Sequence, residues 1–160
     1  MVITLGERTA ETAAVYFEKT RSPVFRKTLP QKARTLEEAL EDFRKTQEPG
    51  AESFGRTIRA DGRYVGDVWC YCMDRSGDPQ AMVSYGVFEP ELWGRGAASA
   101  ALGLFLEEIR ERFGLERVGA FTFAENAASV RVLEKNGFRL AKSFTEDGVE
   151  SGYYLRDTHI

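Results

Sequence analysis

The stretch Val87-Phe88-Glu89-Pro90-Glu91-Leu92-Trp93-Gly94-Arg95-Gly96-Ala97-Ala98-Ser99 constrains this chain more than any other. A strand-like apolar run ends at Phe88, a turn with two glycines follows, and a long amphipathic helix opens at Ala97. The first N–H groups of a helix have no partner inside it, and the helix dipole adds positive character there, so such a start favours an anion. Gly94 and Gly96 let main chain approach a phosphate where a Cβ would collide, although a strand-to-helix turn also takes glycine for geometry alone. Ala97, Ala98 and Ser99 keep the first turn narrow. Two familiar phosphate loops fit poorly. The Gly-Lys-Ser/Thr of a P-loop is absent, and a dinucleotide fingerprint would find Ser99 where a third glycine or alanine belongs.

Around this stretch the periodicities predict an α+β fold. Val2 to Leu5 alternates as a short strand, and Thr9 to Lys19 places Ala10, Ala13, Ala14 and Phe17 at helical spacing. Thr35 and Glu38 have capping-box spacing, and Leu36, Leu40 and Phe43 form the stripe of a second helix ended by Pro49-Gly50. Phe54 to Ala60, Arg63 to Met73 and Gln80 to Phe88 read as an antiparallel meander, with Asp61-Gly62 as its first hairpin turn. After the helix Ala97 to Phe113 come a strand from Arg117 to Phe123 and a helix from Ala127 to Lys135. Strands from Phe138 to Thr145 and Ser151 to Leu155 finish the chain. The expectation is one domain spanning residues 1–160, a mixed and mostly antiparallel sheet of six to seven strands with helices on both faces.

Composition narrows the partners. With 42% hydrophobic and 29% charged residues the chain reads as an ordinary globular protein, and no run reaches the about 18 apolar residues of a membrane span. The start, Met1 to Leu5, lacks a basic region and a long apolar core, so a cytoplasmic location is expected. A formal charge of −3 provides no field to gather nucleic acid. The charged residues from Lys19 to Arg34 are nevertheless all basic, which reads either as a solvated loop or as a rim selecting substrate or cofactor phosphate. Cys70 and Cys72, two apart on a strand, are expected on one face as buried thiols rather than as a disulfide. His159 gets no role, and no metal site is expected.

Trp93-Gly94-Arg95-Gly96-Ala97-Ala98 resembles the acyl-CoA pyrophosphate loop of the GNAT superfamily of N-acyltransferases, Gln/Arg-x-x-Gly-x-Gly/Ala. Trp93 replaces the first residue, as in the branch of the ribosomal-protein-alanine N-acetyltransferases. Asn126 to Phe138 resembles that branch's Asn-x-x-Ser-x-x-Val-Leu-Glu-Lys-x-Gly-Phe. The resemblance is specific from Val83 to Phe138 and topological before that. It implies a sheet splayed in the middle, with the arm of acetyl-CoA between two parallel strands and paired to main chain at Gly86, Val87 and Phe88. Main-chain amides of Gly94, Arg95, Gly96, Ala97, Ala98 and Ser99 would take the pyrophosphate, Arg95 adding charge. Asn126 matches a cofactor-bonding position, and it reads equally well as a helix N-cap.

The implied reaction is direct attack of a neutral amine on the thioester, with a strand N–H near Val87 or Phe88 stabilising the oxyanion. Many relatives protonate the thiolate with a tyrosine seven residues after the asparagine; here Leu133 stands there, and the resemblance to the ribosomal-protein branch, in which the serine at this position is proposed for the role, makes Ser129 the candidate. A glutamate five residues before the asparagine serves some relatives as base; here it is Phe121. Glu89, and behind it Asp67, are the nearest carboxylates. Trp69, Tyr71, Tyr85, Tyr153 and Tyr154, with the two first helices and the Pro23–Pro30 segment, are available to line an acceptor cleft. The acceptor implied is a protein N-terminus or a small-molecule amine, on a monomer or homodimer. A non-catalytic acyl-CoA sensor is the alternative.

Overall fold

The computed structural model describes residues 1–25 and 32–157. Its elements follow the order β1 (Ile3–Gly6), α1 (Ala10–Lys19), α2 (Leu36–Thr46), β2 (Phe54–Ala60), β3 (Arg63–Asp74) and β4 (Gln80–Val87). After these come α3 (Ala97–Phe113), β5 (Arg117–Phe123), α4 (Ala127–Lys135), β6 (Arg139–Glu146) and β7 (Val149–Asp157). The strongly periodic segments α3, β5 and α4 have the bounds read from the sequence, and the terminal strands differ by up to two residues at each end. Arg26, Lys27, Pro30 and His159 lie outside the described residues, and Pro23–Phe25 forms a short 3-10 turn.

The seven strands form one sheet in the order β1-β2-β3-β4-β5-β7-β6. All neighbours are antiparallel except β4 and β5. Parallel strands require a crossover, and α3 provides it. Leu102, Phe105, Leu106 and Ile109 of α3 are buried against Val65, Val68, Cys70, Val83 and Val118, which makes this face of the sheet the principal core. On the opposite face Tyr16 of α1 meets the rings of Trp69 and Phe88 edge-on, at 6.0 and 6.2 Å. Helices therefore cover both faces.

Two local expectations need correction. Cys70 is buried, but Cys72 is exposed. The β3–β4 register shifts between Tyr71 and Asp74, and Cys72 adopts φ +52°, so a β-bulge breaks the alternation that would have put the two thiols together. The capping box anticipated at Thr35 is half formed. The Thr35 hydroxyl accepts from Glu38 N–H at 3.1 Å, while the Glu38 carboxylate accepts from Arg34 N–H at 2.8 Å, one residue too early. The reciprocal box is at α1, where Thr9 and Thr12 exchange side-chain and main-chain bonds.

Candidate active site

β4 and β5 pair only at Gln80–Arg117, Ala81–Val118 and Met82–Gly119. Beyond that point both strands continue, β4 to Val87 and β5 to Phe123, without pairing. A cleft of about 660 Å³ occupies the gap. The β3 side of β4 fixes which groups face it. Phe88 N–H donates to Val65 C=O at 2.8 Å, and register pairs Asp67 with Gly86 and Gly66 with Val87. Antiparallel ladders alternate, so the main-chain groups of Phe88 and Gly86 point to β3 while those of Val87 and Tyr85 point into the gap. Trp93, whose indole Nε1 donates to Val87 C=O at 2.8 Å, closes one of them. Val87 N–H and both polar groups of Tyr85 remain directed at the cleft, a deficit that an amide-bearing arm can fill.

The cleft runs directly to the start of α3. Gly94 and Gly96 adopt φ +76° and +89°, the left-handed region that costs any residue with a Cβ, and Gly96 is the N-cap without a side chain to supply. A Cβ on either would stand in open space. The first N–H satisfied within the helix is that of Ala100, which donates to Gly96 C=O at 3.0 Å. Gly94, Gly96, Ala97, Ala98 and Ser99 all line the cleft. Arg95 is exposed and does not.

The far wall is α4. Asn126 caps it, its Oδ1 accepting from Ser129 N–H at 3.1 Å, and Ala128, Ser129, Arg131, Val132 and Lys135 line the cleft. Arg131 and Lys135, an i,i+4 pair, are cations the loop motif does not contain. Asn136 binds the two helices together, its Nδ2 donating to Val132 C=O at 2.9 Å and to Ser99 C=O at 3.2 Å. Small main-chain donors at one end, cations on a facing wall and unpaired strand groups at the other fit a nucleotide-linked diphosphate with a peptide-like tail.

The comparisons agree with that chemistry. Residues 3–139 match the family model described as the Acetyltransferase (GNAT) domain. This chain belongs to the GNAT family, the acetyl-CoA-dependent N-acetyltransferases. No curated protein matches it in sequence. Among solved structures, Mycobacterium smegmatis RimJ in complex with a CoA disulfide is 20% identical, TM-score 0.83, covering 99% of this chain and 83% of that one. RimL, a ribosomal L7/L12 alpha-N-protein acetyltransferase in complex with coenzyme A, is 16% identical, TM-score 0.82, covering 98% and 94%. An aminoglycoside acetyltransferase in complex with coenzyme A is 14% identical, TM-score 0.82, covering 99% and 96%. At these identities the likeness is one of fold.

Within this GNAT chain the anticipated hydroxyl, Ser129, faces the cleft and is joined to a residue the motifs do not include. Tyr85 Oη lies 2.7 Å from Ser129 Oγ and 3.4 Å from its carbonyl. Burial pushes the Tyr85 phenol up to about 12, so it stays protonated at neutral pH. Leu133, 1% exposed, is packed into the core cluster. Glu89 is half-buried just past β4 and does not line the cleft; the carboxylate that does is Glu146 on β6. Asp67 is wholly buried on the α1 side of the sheet, accepting from Tyr64 Oη at 2.6 Å with Arg8 Nε at 3.3 Å. Of the proposed aromatics only Tyr85 lines the cleft; Phe121, Phe123 and Phe144 join it there. Phe121, 55% exposed, meets Phe144 and Tyr153 at 5.9 and 5.3 Å. Among the described residues no helix is long and apolar enough to cross a membrane.

Proposed function

We propose that this GNAT acetyltransferase moves the acetyl group of acetyl-CoA onto a primary amine, at a protein N-terminus or on a small molecule, by direct attack on the thioester. The supporting observation is the continuity of one cleft from the bare α3 donors to the unpaired β4 strand. In this reading the N–H groups of Gly94, Gly96, Ala97, Ala98 and Ser99 take the diphosphate. Arg131 and Lys135 add positive charge from α4, and Arg95 contributes from outside. The pantetheine arm follows the Gly86–Phe88 segment through the groups of Tyr85 and Val87 that face the gap.

Chemistry at the thioester needs a neutral amine, an oxyanion donor and a proton for the thiolate. Val87 N–H is the strand donor directed at the gap, since Phe88 N–H is committed to Val65. Ser129 supplies the hydroxyl beside the leaving sulfur. Neutralising a lysine at pH 7 costs about 4.6 kcal/mol against about 1.4 for an α-amine of pKa near 8. An α-amine therefore asks less of a base, and Glu89, which stands just past β4 outside the cleft lining, is the proposed carboxylate, acting through water.

Calorimetric titration with coenzyme A, then release of the free thiol from acetyl-CoA across a panel of primary amines, tests this. Micromolar binding and amine-dependent release are expected. No affinity for coenzyme A removes the reading, and binding without turnover on a broad panel replaces it with the sensor.

A further inference from the structure

The Tyr85–Ser129 contact spans the splay. Tyr85 sits on β4 three residues past the last paired position, Met82, and Ser129 sits in the first turn of α4 beyond the far end of β5. Their hydroxyls, 2.7 Å apart, are at the ordinary length of an O–H···O bond, whereas the alternative acceptor, Ser129 C=O, is 3.4 Å away. The phenol is the more acidic hydroxyl and therefore the better donor. Once Ser129 Oγ accepts from Tyr85, its own hydrogen is left to turn into the cleft that both residues line.

We propose that Tyr85 is a positioning residue that aims and replenishes the Ser129 proton, filling from β4 the role left vacant by Leu133 on α4. The inference rests on the acetyltransferase reading above. As the amine nitrogen bonds to the acetyl carbon and the C–S bond breaks, the electron pair leaves on sulfur. Sulfur takes the Ser129 hydroxyl proton, Ser129 takes that of Tyr85, and the proton shed by the new amide nitrogen returns to the phenol through solvent. One proton has moved from nitrogen to sulfur, and both hydroxyls are restored.

Steady-state kinetics of Tyr85→Phe, Ser129→Ala and the double variant, with coenzyme A titrations of each, test this. Tyr85→Phe keeps the ring and removes one oxygen. Its kcat should fall about tenfold, with KM for acetyl-CoA and affinity for coenzyme A within twofold of wild type. The double variant should be no slower than Ser129→Ala, because residues acting as one unit are not additive. Unchanged turnover in Tyr85→Phe overturns the inference while leaving the acetyltransferase reading intact. So does a parallel loss of coenzyme A affinity, which would make Tyr85 a clasp holding the cleft in shape, or full additivity in the double variant. A wild-type protein without affinity for coenzyme A overturns both.

Discussion

Two strand-to-helix junctions in this protein use their polar groups in opposite ways. Between β1 and α1 the helix start is closed by its own side chains: Thr9 and Thr12 satisfy each other's N–H groups, and Arg8 pairs its charge with the buried Asp67, which Tyr64 also holds. Between β4 and α3 no side chain caps the helix, two glycines take left-handed conformations, and the donors open into the cleft. A helix start that neglects its own capping is poor design for stability and good design for an anion. Closure suits a junction that supports the sheet; openness suits the ligand-binding role proposed for the other.

The comparison breaks if damage to the closed junction reaches coenzyme A directly, or if damage to the open one unfolds the protein. The largest expected effect is Arg8→Met, which leaves Asp67 without its counter-charge and should cost about 3 kcal/mol of stability at pH 7, with coenzyme A affinity unchanged in the folded fraction. Burial already raises the Asp67 pKa, and losing Arg8, which lowers it, raises it further. A carboxyl raised in the folded state contributes stability at low pH and loses it as pH climbs through the folded value. The deficit measured in denaturant should therefore shrink as pH drops toward about 4.

Next comes Gly96→Val, which places a branched side chain where φ is +89° and the cleft begins. Coenzyme A affinity should drop about 100-fold, about 2.7 kcal/mol, while the melting curve reports only the 1–2 kcal/mol, roughly, of a left-handed side chain. Thr9→Ala should be the mirror image, about 1 kcal/mol less stable by chemical denaturation with unaltered affinity. Asn126→Ala sharpens the contrast, since this cap lies on the cleft. It should cost about 1 kcal/mol as well, and any further loss in coenzyme A titration would assign Asn126 the second role the family motif implies. The smallest effect is salt: raising ionic strength from about 0.05 to 0.15 M should weaken coenzyme A binding a few-fold by screening Arg131 and Lys135, and hardly move the melting point.

Much of the fold was legible because its signals are local. The 3.6-residue stripe of Leu102, Phe105, Leu106 and Ile109 is written in neighbouring letters and became the buried face of α3. The Gly94–Ser99 loop was equally legible, since both the glycines and the helix they open lie within a few residues. Cys72 was misplaced because a bulge is a property of two strands, and neither one alone announces it. Tyr85 was visible only as one aromatic among several, because the side chain it meets is 44 residues away. Arg131 and Lys135 entered the sequence reading only as part of a short helix and its motif, because what brings them to the cleft is the packing of α4 beside the gap.

By itself the sequence determined which segments are helix or strand, and which turn would leave its donors bare, because periodicity and backbone freedom act over a few bonds. Only the tertiary structure decided where the parallel pair parts, which strand amides face the gap and which hydroxyls meet across it. Those depend on register and on contacts between residues far apart in the chain, where a shift of one position turns every group to the other side.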